Sequence, residues 1–99
     1  MIRHIVLFKL KPFESAQTKA DKLIEIKKGL DALPAIIPQL KLMKVGINMN
    51  PAEQYDLSLL TEFETMADLQ VYAVHPDHLA VSKIIKEVLD SRACVDSEF

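Results

Sequence analysis

The stretch Tyr72-Ala73-Val74-His75-Pro76-Asp77-His78 gathers two of the chain's three histidines and one of its two tyrosines, its densest run of proton-handling groups. A neutral imidazole facing an apolar pocket can act as general base toward a carbon acid. A nearby phenol can donate to the enolate oxygen as charge develops there. His78 and Tyr72 are the candidates for those two roles. Pro76 is favoured in the first turn of a helix, which puts His78 near the third helical position. Unpaired N–H groups at a helix start disfavour imidazolium and push the ring's pKa down, whereas Asp77 beside it favours the charged form. The sequence leaves that balance open. Each residue also has a purely structural reading, His78 packed over the helix start and Tyr72 as a core aromatic with its hydroxyl on a backbone carbonyl.

Ligand contacts around the same pocket are expected from His4, Phe8, Val74 and His75. His75, just before the proline, also reads as a helix cap or hinge, and His4 as an inward-facing strand histidine. No metal site is expected. His75 and His78 have a histidine-x-x-histidine spacing, but Pro76 interrupts the helix that would align their rings, and no other clear ligand set is present. The only glycines are Gly29 and Gly46, so there is no glycine-rich phosphate loop and no cofactor is expected.

The elements that must position these groups follow from periodicity. Ile2 to Leu10 alternates as a strand, apolar on both faces in its middle, with His4, Val6 and Phe8 on one face and Ile5 and Leu7 on the other. Ser15 is an N-cap for a helix reaching Leu33, with Ala16, Ala20, Leu23, Ile24, Leu30 and Leu33 toward the core, and Pro34 closes it. Leu40–Met49 and Tyr55–Phe63 read as strands separated by the turn residues Asn50-Pro51-Ala52-Glu53. Thr65 and Asp68 open a short helix, Met66 to Val74, at capping-box spacing. A second helix begins after His75 and runs to about Leu89, with Val81, Ile84, Ile85 and Val88 inward. Arg92–Phe99 is a final strand.

Strand, helix, strand, strand, helix, strand predicts an α+β, ferredoxin-like protomer with a four-stranded antiparallel sheet and helices on one face. The other face then needs cover for Ile5, Leu7 and the row Met43, Val45, Ile47, Met49. A bare apolar face of several hundred Å² is rare on a monomer, so a homodimer meeting through its sheet faces is expected.

Ninety-nine residues, 49% apolar and 26% charged, suit one domain spanning residues 1–99 with one core. A net charge of −2, with acids interspersed among Lys27, Lys28, Lys41 and Lys44, gives no general attraction to nucleic acid or anionic lipid. No apolar run approaches the roughly 18 residues that span a bilayer, so no membrane partner is expected. The single cysteine, Cys94, rules out an internal disulfide and suggests a reducing, cytoplasmic setting.

Ile2-Arg3-His4-Ile5-Val6-Leu7-Phe8-Lys9, the segment Leu69 to His78, and Cys94-Val95-Asp96 together resemble the stress-responsive A/B barrel domain family along essentially the whole chain. The resemblance implies a dimer whose two sheets form a shared α+β barrel. One plant member closes a linear tetraketide by aldol condensation. Tyr72 and His78 match its tyrosine near the end of the short helix and the last histidine of its His-Pro-x-His stretch, which carry that chemistry. His4 matches a pocket histidine of its first strand, and Leu57 stands where it has another in the third. Two functions follow as expectations. One is a dimeric domain with a small apolar ligand pocket between sheet and helices. The other is a cofactor-independent cyclase or lyase with His78 as general base and Tyr72 as oxyanion stabiliser.

Overall fold

The computed structural model describes residues 1–99. The chain runs β1 (Ile2–Leu10), α1 (Ala16–Asp31), one 3-10 turn (Leu33–Ala35), β2 (Leu42–Ile47), β3 (Leu57–Phe63), α2 (Met66–Val74), α3 (Pro76–Val88) and β4 (Leu89–Glu98). The strands form one antiparallel sheet in the order β2-β3-β1-β4, which is the ferredoxin-like arrangement. β1 and β3, the central strands, are the ones whose alternation is apolar enough to be covered. No helix is long and apolar enough to cross a membrane.

The helix starts are set by side chains. Ser15 Oγ accepts from Thr18 N–H at 3.1 Å, and Thr65 Oγ1 accepts from Asp68 N–H at 3.1 Å. Each satisfies a backbone donor that the first turn leaves without a partner. α1 stops at Asp31, two residues short of the expected Leu33, because the chain tightens into the 3-10 turn ahead of Pro34. Its buried residues are Leu23, Ile26 and Leu30, whereas Ile24, expected inside, is 46% exposed. Gly29 has a packing reason: a Cβ there would meet Val81 of α3 at 3.2 Å, so glycine lets α1 and α3 approach closely.

The sheet's helix side holds a continuous core of Ile2, Val6, Phe8, Leu57, Leu59 and Phe63, packed against Leu23, Ile26, Leu30, Leu69, Val81 and Ile85. Thr61 is the one buried polar residue, and its hydroxyl donates to the backbone carbonyl of His4 at 3.2 Å. Register corrects one expectation. Met43, Val45 and Ile47 pair with Thr61, Leu59 and Leu57, so they lie on the helix side, half-buried against the core. Met49, the fourth of that row, lies beyond the strand and is exposed. The open side carries instead Ile5 and Leu7 of β1, Leu42 of β2, Leu60 of β3, and Ala93 and Val95 of β4. Arg3 and Glu62 form an ion pair at 2.8 Å at one edge of that apolar strip.

β4 begins at Leu89, three residues before the expected Arg92, with no loop after α3. Lys11 N–H donates to the Val88 carbonyl at 2.8 Å, and the register with β1 shifts between Lys9 and Leu10. The helix therefore hands directly into the edge strand.

Candidate functional site

A cavity of about 310 Å³ lies between the sheet and the pair α2–α3, within the size range of small-molecule pockets. Val6, Phe8, Leu59, Leu69, Leu79 and Ile85 supply its apolar walls, and Tyr72, His78 and His4 its proton-handling groups. Lys86 and Arg92 also line it, while no carboxylate does. Four of the six residues expected to act or bind there (His78, Tyr72, His4 and Phe8) are thus brought to one void. The other two are not. Val74 is 67% exposed and points away from the cavity walls. His75 caps α3, its Nδ1 accepting from Asp77 N–H at 3.1 Å. Leu57, at the position of the third-strand histidine in the resemblance, is buried opposite Phe8 and lines no part of the cavity.

The break between α2 and α3 creates the site. Pro76 cannot continue α2, so the chain turns at His75 in extended conformation and restarts as α3. That turn folds His78 back over the end of α2. Its Nδ1 lies 3.0 Å from the Ala73 carbonyl oxygen, which can only accept, so Nδ1 carries the proton. In the neutral ring Nε2 then holds the free lone pair. The Tyr72 ring packs on it with centroids 4.2 Å apart, and Phe63 flanks Tyr72 at 5.2 Å.

Burial is the main force holding the His78 pKa below the usual imidazole value. The Ala73 carbonyl opposes it, and the charges of His4, Lys86 and His75 add to the lowering in smaller measure. The downward direction matches one side of the sequence reading, but desolvation rather than the helix start is the leading cause. Asp77, the opposing influence, is turned toward His75, its carboxylate 3.7 Å from Nδ1 of that ring. Tyr72 is 1% exposed, and burial pushes its phenol well above the ordinary range. Its hydroxyl is the one buried side-chain polar atom without a hydrogen-bond partner. Such a group costs about 1–3 kcal/mol of stability relative to a satisfied one. A neutral imidazole packed on a phenol with an unspent donor, at a largely apolar cavity, suits a ligand that carries a carbonyl oxygen.

A second cluster was not anticipated. His4 Nδ1–H donates to Asp96 Oδ1, and Cys94 Sγ sits 3.5 Å from the same nitrogen and 3.6 Å from that oxygen. These are the residues whose donor atoms could together hold a metal ion. Burial and the neighbouring Asp96 carboxylate raise the Cys94 thiol pKa, against a lowering by Arg92. Cys94 and Asp96 alternate onto the side of β4 that the register aligns with His4. The spacing Cys-x-Asp was visible in the sequence, but its partner lies some ninety residues away.

The profile described as "Stress responsive A/B Barrel Domain" matches residues 2–99. Among solved structures, a dimeric protein of unknown function and ferredoxin-like fold from Bacteroides fragilis is 43% identical, with a TM-score of 0.94, covering 99% of this chain and 95% of its own. A dimeric ferredoxin-like protein of unknown function from Thermobifida fusca is 30% identical, with a TM-score of 0.85 and coverage of 99% and 90%. Hydroxynitrile lyase from Passiflora edulis shares the fold at 22% identity, with a TM-score of 0.73 and coverage of 97% and 90%. None of the curated proteins matches the chain.

Proposed function

The chain belongs to the stress responsive A/B barrel domain family, and from that premise we propose that it acts as a homodimer, one domain per chain over residues 1–99, each binding a small apolar carbonyl compound. The single observation that carries this reading is Tyr72, a residue of the cavity wall that packs on His78 and whose buried hydroxyl has no partner. A ligand oxygen that accepts from Tyr72 would remove the cost of leaving that donor unmade. The apolar walls would take the rest of the molecule, and Lys86 and Arg92 admit a ligand with an acidic group. Dimerisation is supported by the dimeric relatives and by the open strip of Ile5, Leu7, Leu60 and Val95, flanked by the Arg3–Glu62 pair. An apolar centre with a polar rim is the usual make-up of an interface between copies. Leu60→Glu sets like charges across that two-fold contact and is expected to give monomers by light scattering. The proposed location is the cytoplasm, where the lone Cys94 would remain reduced.

A second reading rests on the His78 tautomer. With Nδ1–H held by Ala73, Nε2 can take a proton from a carbon next to the bound carbonyl. The C–H electron pair moves into the enolate, whose oxygen receives the Tyr72 hydrogen bond, and the proton returns from Nε2 to carbon or to a leaving product. A cofactor-independent lyase or cyclase would work in this way.

Thermal shift with a panel of aromatic ketones and 1,3-dicarbonyl acids, on the wild type and on Tyr72→Phe and His78→Ala, tests both readings. A stabilising ligand whose effect weakens in Tyr72→Phe is the expected result. Solvent deuterium appearing at the carbon next to the ligand carbonyl, and lost in His78→Ala, supports the catalytic version. Equal shifts in wild type and Tyr72→Phe for every ligand would remove the binding proposal.

A further inference from the structure

β4 is held mainly by β1, and the principal helix–sheet contacts fall on β2 and β3. Its helix-side residues, Arg92, Cys94, Asp96 and Glu98, are therefore exposed although they share a layer with the core. Beside that uncovered row, His4 of β1 completes a set of three different donor atoms: its Nδ1, Sγ of Cys94 and Oδ1 of Asp96 all lie within 4.8 Å of one another.

We propose that His4, Cys94 and Asp96 form a binding site for one divalent cation of borderline softness, with Zn²⁺ the best fit and a coordination position left open. Two of the three edges of the cluster have the right size. Zinc bonds of about 2.0–2.1 Å to nitrogen or oxygen and about 2.3 Å to sulfur place neighbouring tetrahedral ligands roughly 3.3–3.6 Å apart. The two edges that end on sulfur measure 3.5 and 3.6 Å. The third, between imidazole and carboxylate, is closed by their hydrogen bond and must open to admit the ion. An ion entering the cluster displaces the proton of that bond, which moves to Nε2 of the neutral ring as the carboxylate swings outward. The thiol proton leaves to solvent.

Charge and donor type select the ion. One thiolate, one imidazole and one carboxylate are a mixed set that Mg²⁺ and Ca²⁺, which take oxygen donors, use poorly. Zinc sites with three protein ligands and one exchangeable position are of this make-up. The Arg92 guanidinium, two residues before Cys94 on the same side of β4, opposes a second cation there. Both ligand-bearing strands are paired along their length, so the donors are held in place before the ion arrives. Because face-to-face pairing would use the opposite side of the sheet, the cluster stays open in the proposed dimer. His4 also forms part of the cavity wall, so the ion would sit beside the ligand site and share one residue with it. The cluster does not depend on Tyr72 or His78.

Tag-free protein stripped with chelator and titrated with zinc against a chromophoric competitor tests the site, together with cobalt substitution read by absorbance. The expected result is one ion per chain, a sulfur-to-cobalt charge-transfer band, and release of about one proton per ion at neutral pH. Losing even an outer partner of a zinc ligand costs roughly 10–100-fold in affinity, so Cys94→Ser and Asp96→Asn should each weaken binding by about 100-fold or more. The charge-transfer band should vanish in Cys94→Ser while His78→Ala leaves it unchanged. No charge-transfer band in the wild type, or equal zinc affinity in wild type and Cys94→Ser, overturns the site.

Discussion

Two groups of proton-bearing side chains share the helix side of one sheet, and they differ in how far their hydrogen bonds are already spent. Around His78 and Tyr72 the surroundings are buried and apolar, one ring nitrogen is tied to a backbone carbonyl, and the phenol has nothing. Around His4, Cys94 and Asp96 the polar atoms bond one another between β1 and the uncovered strand β4. An unmet donor in a buried, largely apolar setting is a standing cost that a ligand can relieve. A self-satisfied cluster at the surface carries no such cost, and an incoming ion must replace protons rather than fill a vacancy. The first arrangement favours a carbonyl oxygen, the second a cation.

The comparison breaks most visibly at His78. If the buried pair performs proton transfer, His78→Ala should slow deuterium exchange of a bound ketone by about 100-fold or more, the usual contribution of a placed general base. Asp96→Ala should leave that exchange nearly unchanged, since the carboxylate belongs to the other cluster. Equal slowing in the two variants would mean that the working base is His4 and that the division drawn between the clusters is false.

Tyr72→Phe carries the next largest effect, and its sign is the unusual part. Deleting a polar atom from a folded protein normally lowers stability. Here the hydroxyl is buried without a partner, and removal should raise stability by about 1 kcal/mol, or roughly 4–8 °C in melting temperature for a domain of this size. The same variant should bind carbonyl ligands more weakly. Gain of stability with loss of binding is the signature of a site held at a cost for function. A fall in stability would show that the hydroxyl is satisfied in solution.

Acid should separate the clusters further. The folded His78 ring has a pKa lowered by burial, whereas in the unfolded chain it titrates near about 6.5. Above the unfolded value both states are neutral and nothing is lost. As pH falls through that value toward the lowered folded one, the unfolded chain takes up a proton that the native ring refuses, so stability drops. Urea midpoints measured from about pH 7.5 to about pH 5 should fall less steeply in His78→Gln than in the wild type. An unchanged slope would mean that the ring is hydrated and not desolvated.

How much of this was legible beforehand depends on the range over which each feature is fixed. β1, α2 and the break at Pro76 are local consequences of alternation, capping and a missing N–H, and they lie where the sequence puts them. The cavity residues Tyr72 and His78 are six apart, so the same break brings them together. Periodicity failed where two apolar residues compete: Ile24 and Ile26 both suit a helix, and only packing against the sheet chooses Ile26. It failed again on β2, because alternation tells which residues share a face but not which face is covered. That is settled by the pairing of Val45 with Leu59. The His4–Cys94–Asp96 cluster lay beyond reach for the same reason. It exists only once the β1–β4 register sets Asp96 opposite His4.

The smallest effect is the sharpest test of the contrast between spent and unspent groups. Asp96→Ala removes the acceptor of the His4 Nδ1–H and of the Cys94 thiol, yet Cys94 lies exposed on the bare strand and His4 is partly open beside it. Water can replace the carboxylate there, so the loss should be about 0.2–1 kcal/mol, typical of a partly exposed pair. Urea denaturation of Asp96→Ala beside Tyr72→Phe would then show changes of opposite sign from the loss of one polar group apiece. If Asp96→Ala were instead neutral or stabilising, its carboxylate would be contributing nothing to the fold. Its place beside a histidine and a thiol would then have only the cation to account for it.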